Sequence, residues 1–117
     1  MTSLIASLGK DPATIAHVNE VIKKQDWEKI YIITETTPNS IIKKDNIEFI
    51  IINSNQILEQ LAENIRLKLK EKITDLEIAL NLVSGNGKLH MAVLSALLKL
   101  GLGIRLVAIT PSGIKEI

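Results

Sequence analysis

The sequence predicts an α/β fold of Rossmann-like type: a mainly parallel sheet of about five strands with helices on both faces. Three observations predict it. Short runs rich in Ile, Leu and Val alternate along the chain with longer segments whose apolar residues recur at helical spacing. The strand-like runs are apolar through most of their length, the pattern of strands covered on both faces. Glycine-containing turns stand between strand and helix at two places, G-K-D-P at 9–12 and S-G-N-G-K at 84–88.

Residues 3–8 read as the first strand, ended by Gly9-Lys10-Asp11-Pro12. Asp11 is suited to cap a helix beginning at Pro12, because the first helical position has no use for the N–H that proline lacks. Ile15, Val18 and Ile22 follow at helical spacing, and 27–34 (W-E-K-I-Y-I-I-T) form the second strand. Residues 36–44 are polar, with Pro38 and Asn39, and 48–52 make the third strand. Only about eleven residues separate these two strands, close to the lower limit for a crossover. Both a short helical turn around 40–43 and an antiparallel third strand fit that length. A helix over 56–72 follows, its buried stripe formed by Ile57, Leu58, Leu61, Ile65, Leu69 and Ile73. Residues 77–83 read as the fourth strand, 88–100 as the third long helix and 104–109 as the fifth strand, closed by T-P-S-G at 110–113.

A chain of 117 residues is expected to form a single domain over 1–117, with no room for a separate effector module. Fourteen basic against 13 acidic side chains give a net charge of +1, which argues against a duplex nucleic acid as partner. Trp27, Tyr31 and Phe49 are too few for an aromatic stacking platform. Apolar runs break well before the roughly 18 residues a membrane span needs, so no membrane association is expected. The first residues lack the basic start and apolar segment of a secretory signal, and there is no cysteine; a cytoplasmic location is the expectation. No histidine pair at i, i+4 and no tight carboxylate cluster stands in the sequence, so neither metal nor cofactor is expected.

The densest chemistry lies at 80–91, L-N-L-V-S-G-N-G-K-L-H-M, where an apolar strand runs into a turn and a helix starts directly behind it. Gly85 and Gly87 let the backbone bend and approach a ligand with no Cβ in the way, while the new helix offers free N–H groups and a partial positive charge. Lys88 adds a full charge where a phosphate would sit. Ser84 and Asn86 belong to the same turn and are ligand-binding candidates with them. In parallel sheets, ligands bind beyond the carboxyl ends of the strands, near the point where strand order reverses. The loop of Gly9, Lys10 and Asp11 and the loop 84–88 both belong to that edge and are expected as neighbours. Lys10 is then a second phosphate contact and His90 a candidate acid or base. Ser7, Thr14 and His17 are secondary candidates. Two common phosphate motifs fail: a Walker A loop would need glycine at Leu82 and a hydroxyl at Leu89, and a dinucleotide fingerprint from Gly85 would need glycine at His90. A nucleoside triphosphatase and a nicotinamide dehydrogenase are therefore not expected.

Taken together, L-I-A-S-L-G-K-D-P and S-G-N-G-K-L-H-M resemble the two motifs of the CARF domain, the CRISPR-associated Rossmann-like fold. That family carries a glycine-containing turn after its first strand and a later motif close to [ST]-G-G-x-K-x-M; Gly85, Lys88 and the pair His90-Met91 stand near the matching places. The resemblance spans most of the chain. It implies a homodimer that binds cyclic oligoadenylate, the second messenger of type III CRISPR antiviral defence, in a groove across the twofold axis. Many members fuse the domain to a nuclease or winged helix, so a stand-alone copy is expected to sense, sequester or degrade the messenger. Members called ring nucleases cleave it without a metal, the ribose 2′-hydroxyl attacking the adjacent phosphate, and Lys88 matches their catalytic lysine. They often carry serine in a turn like G-x-S-P, where this chain has Asp11. A carboxylate there repels phosphate, and capping the helix is its simpler role.

Plain structural roles are open to the same residues: the glycines as a tight turn, His90 as a packing or capping residue, and the whole chain as a non-catalytic interaction domain. Lysine in a first helical turn opposes the helix dipole, a placement that a bound anion would offset. Lys23-Lys24, Lys43-Lys44 and Lys68, Lys70 and Lys72 read as solvated faces. From Leu89 to Leu102 nearly every residue is apolar, so this helix needs cover on a second side. A twofold homodimer would supply it and would place two copies of 84–88 around one symmetric ligand. Residues 114–117 of the same chain are the other cover.

Overall fold

Apolar strands with side chains on both faces need cover on both faces, and the chain supplies it with three helices and one irregular strap. The computed structural model describes residues 2–117. Its elements run β1 (Leu4–Ser7), α1 (Pro12–Lys23), β2 (Ile30–Thr34), β3 (Ile47–Ile51), α2 (Leu58–Lys70), β4 (Glu77–Asn81), α3 (Gly87–Lys99), β5 (Gly103–Thr110) and β6 (Gly113–Glu116). The sheet order is β3-β2-β1-β4-β5-β6, parallel throughout except for the β5–β6 pair. One mixed α/β sheet with helices on both sides is thus the architecture.

Successive residues of the central strands feed two cores. Ile5, Tyr31, Ile33, Ile78 and Leu80 point to the α2/α3 face, where they meet Leu61, Ile65, Leu69, Val93 and Leu97. Leu4, Ala6, Ile30, Ile32 and Ala79 point to the α1 face and meet Val18, Val21, Ile22 and Trp27. Each helix buries its sheet-facing stripe, α2 and α3 also packing against each other, and the sheet itself is the shared wall.

The third strand is parallel to β2, in the register Ile30↔Ile47 to Thr34↔Ile51. Its short crossover contains no helix. Residues 35–46 instead lie as a strap over the α1 face, with Ile41 and Ile42 filling the place of a helical stripe. The strap's backbone is held by side chains: Asn19 donates to Ser40 O (2.8 Å) and accepts from Ile42 N (3.0 Å). Asn46 donates to Trp27 O (2.8 Å). Asn19 thus answers two strap groups that a helix would have paired internally, and Asn46 ties the end of the strap to the chain before β2.

The sheet has one strand more than expected. Pro111-Ser112 form a two-residue turn between paired Thr110 and Gly113, Gly113 takes φ +102°, and the last residues return antiparallel to β5. Ile114 packs into the α1-side core. Residues 114–117 therefore do not cover α3, and the intrachain alternative for covering that helix is corrected. Met91, Leu94 and Leu98 remain on its open face, Met91 and Leu98 being 59% and 63% exposed. No described helix is long and apolar enough to cross a membrane.

Candidate functional site

β1 and β4 lie side by side in the register Leu4↔Ala79 to Ala6↔Asn81, yet their chains leave in opposite directions. β1 continues through α1 to β2, while β4 continues through α3 to β5. The loops between these strands and helices diverge there and leave a crevice at the reversal of strand order.

Ser84 is the hub that joins the two loops. It is fully buried. Its carbonyl oxygen accepts from Ser7 Oγ (2.5 Å) and lies 2.8 Å from His90 Nε2. A carbonyl can only accept, so Nε2 carries the imidazole proton in this contact. Gly9 N donates to Ser84 Oγ (2.8 Å), and Thr14 Oγ1 lies 3.0 Å from Ser84 Oγ and 3.1 Å from Asp11 O. Each hydroxyl has one proton, and the arrangement is satisfied when Ser84 donates to Thr14 and Thr14 donates to the Asp11 carbonyl. Hydrogen bonds thus run unbroken from one loop to the other.

Two glycines allow this approach. A Cβ on Gly9 would lie 2.9 Å from both Cα and N of Gly85, a distance at which the backbone must shift. Gly85 itself adopts φ +98°, and its Cβ would meet Leu89 Cδ2 at 3.0 Å. At Gly87 a Cβ would meet nothing within 4 Å, so packing does not require glycine there and the start of α3 stands open.

Both helix starts are capped. Asp11 Oδ2 accepts from Thr14 N (3.1 Å), the role expected of it, and Asn86 Oδ1 accepts from Leu89 N (2.9 Å). The caps answer one N–H each, and the other first-turn N–H groups of both helices have no intrahelical acceptor. Lys88 Nζ donates to Ser54 O (2.8 Å), reaching across to the β3–α2 loop.

The crevice opens into a cleft of about 700 Å³. Gly9, Lys10, Asp11, Gly85, Asn86 and Lys88 line it, as does Thr14. Ser84, Gly87, His90 and Ser7 are not on its wall. Ser84, Ser7 and His90 support the loops from behind. His17 is also outside it: Asn81 Nδ2 lies 3.1 Å from His17 Nε2 and donates to Val107 O (2.9 Å), which joins α1 to β4 and β5.

The opposite wall comes from residues not expected at the site: Thr34 at the end of β2, Glu35, Thr36 and Pro38 after it, and Ile52 and Ser54 after β3. Their signal was positional: the end of β2 lies at this edge because β2 is parallel to β1, whereas the end of β3 reaches it only if β3 is parallel too, and that direction was open. The wall charges are balanced, Lys10 and Lys88 against Asp11 and Glu35. Among the described residues no group of three or more His, Cys, Asp or Glu could hold a metal ion. Geometrically, the site is a switch-point cleft of an α/β sheet, floored by two helix starts. In comparisons with known proteins, no family model, curated protein or solved structure matches the chain.

Proposed function

We propose that the chain binds a cyclic oligoadenylate of type III CRISPR defence in a groove across a homodimer, to sense or sequester it. The observation that carries this reading is the Ser84 junction. Loops 75 residues apart in sequence are locked together by it over the cleft, with the starts of α1 and α3 both on the cleft wall. Backbone amides at helix starts favour phosphate without needing a basic surface, which suits a chain of net charge +1. Asp11 is engaged as a cap. Lys10 lines the cleft, and Lys88 Nζ, holding Ser54 O with one of its three N–H groups, has two left for a phosphate. A cleft of about 700 Å³ is the size of a small-ligand site and holds part of a nucleotide ring. Two copies about a twofold axis would hold the whole, and the open apolar face of α3 is the surface that would pair them.

Lys88 on the cleft wall also favours a second reading, metal-independent cleavage of the same ligand. A lysine and backbone amides can stabilise charge on a phosphate attacked by the neighbouring 2′-hydroxyl. One experiment addresses both. The protein is incubated with cyclic tetra- and hexa-adenylate, and binding and products are measured. Binding without product supports the sensor, and products ending in 2′,3′-cyclic phosphate in the presence of chelator support the nuclease. Absence of both overturns the reading. Lys88→Ala should weaken binding by about 1.5–3 kcal/mol, the scale of a hydrogen bond to a charged group, with the fold intact; unchanged affinity in a folded variant removes Lys88 from the site.

A further inference from the structure

We infer that Glu35 is the residue of this cleft that reads ribose, by accepting a hydrogen bond from a ribose 2′-hydroxyl of the bound ligand. The inference rests on the nucleotide reading above and adds a specificity that the two glycine loops cannot supply.

Glu35 follows Thr34, the last residue of β2. Its position is built: Thr34 Oγ1 donates to Thr36 O (3.2 Å) and Thr34 O accepts from Ile52 N (2.9 Å), which fix the turn on both sides of Glu35. The β1–β2 ladder pairs Ser7 with Ile33, so continuing that register by two residues carries Glu35 alongside Gly9. Neighbouring strands lie about 4.8 Å apart, which puts the turn carrying Glu35 next to the loop assigned to phosphate. Both residues line the cleft. Among the described residues Glu35 takes part in none of the six salt bridges, and its side chain enters no hydrogen bond.

An ionised carboxylate can only accept hydrogen bonds, and it repels phosphate. The donors on an adenine nucleotide are the ribose hydroxyl and the base amino group. The ribose is the nearer of the two to a phosphate held at the Gly9 loop, one linkage away, whereas the amino group is at the far edge of the base. In dinucleotide-binding sheets, an acidic side chain beyond the second strand meets ribose when phosphate lies at the first strand-to-helix turn. Glu35 has that placement here although the glycine fingerprint is lacking. It also gives the cleft's balanced charge a use: two cations face the phosphates, and one of the two carboxylates faces a hydroxyl.

The test compares cyclic tetra- and hexa-adenylate with their all-2′-deoxy counterparts, using the full chain and its Glu35→Ala and Glu35→Gln variants. Wild type is expected to bind the ribose form about tenfold or more tightly, the scale of one hydrogen bond to a charged acceptor. Glu35→Ala should lose that preference while binding the deoxy form as well as wild type or better, because a carboxylate that repels phosphate is gone. Glu35→Gln should lose most of it, having an acceptor but no charge. Melting curves verify that both variants fold. Equal binding of ribose and deoxy forms by wild type overturns the inference, as does a preference retained in both variants. Failure of wild type to bind any of the four compounds overturns the inference together with the nucleotide reading, so the two failures are distinguishable.

Discussion

Gly9 and Gly85 touch backbone to backbone, and the geometry of the site follows from that contact. A methyl group on Gly9 would lie 2.9 Å from two backbone atoms of Gly85, so one loop must move. Gly9→Ala is expected to destabilise the protein by about 1–3 kcal/mol, the usual cost of overpacking, and to weaken ligand binding further by separating the loops. Thermal melts and a ligand titration measure both effects; an unchanged melt would mean that the two loops are not held together as described. The sequence made the glycines and the Asp11 cap legible, because a turn residue and a cap are local signals. It did not reveal Ser84 as the hub. Hydrogen bonds from Gly9, Ser7 and Thr14 to residue 84 exist only after β1 and β4 pair, and nothing within a few residues of Ser84 announces them. Glu35 was missed for a related reason: its place beside Gly9 follows from the register of β2 on β1, which no local signal gives.

The elements were legible to the extent that apolar periodicity specifies them. All three helices and five strands stand where that pattern puts them, with ends moved by up to three residues in either direction, since element ends depend on caps and neighbours. Ile57 and Leu58, expected in the buried stripe of α2, are exposed because the helix starts only at Leu58. β6 was not legible, because G-I-K-E carries a single apolar side chain and so shows no strand pattern. The strap 35–46 was undecided because asparagine side chains hold it in place of a helical pattern. One tie between elements makes a pH prediction. Tyr31 Oη donates to Lys72 O (3.3 Å) just past α2, and Lys72 pairs with Glu48 on β3. Burial, followed by the nearby Glu48 carboxylate, pushes the Tyr31 phenol above its ordinary value. The folded state therefore favours the neutral phenol; its contribution is complete below the ordinary phenol range and is lost as pH rises through the folded value. Tyr31→Phe should cost about 0.5–1.5 kcal/mol at neutral pH and should flatten the loss of stability in alkali. Denaturant titrations from neutral to alkaline pH decide it, and an identical alkaline slope in both proteins would contradict the stated cause.

At the scale of the whole molecule, assembly and ligand are one question. The α2/α3 face buries its sheet-facing stripe but leaves Met91, Leu94 and Leu98 uncovered within the chain. A pairing through this face predicts a dimer by light scattering at micromolar concentration, and Leu98→Glu should split it, because a charge would then enter an apolar interface. A wild-type monomer at that concentration would contradict the pairing. The fold class was fully legible at this scale, since alternation of strand and helix is a property of the entire chain. The ligand rests on the resemblance of two short motifs and on the cleft they line. The most direct measurement is a calorimetric titration of the wild-type protein with cyclic tetra- and hexa-adenylate, read for stoichiometry. Saturable binding of one ring per two chains is expected, weakening as salt rises because charged groups hold the phosphates. Saturation at one ring per chain would contradict the twofold groove, and absence of binding by both rings would contradict the proposed function.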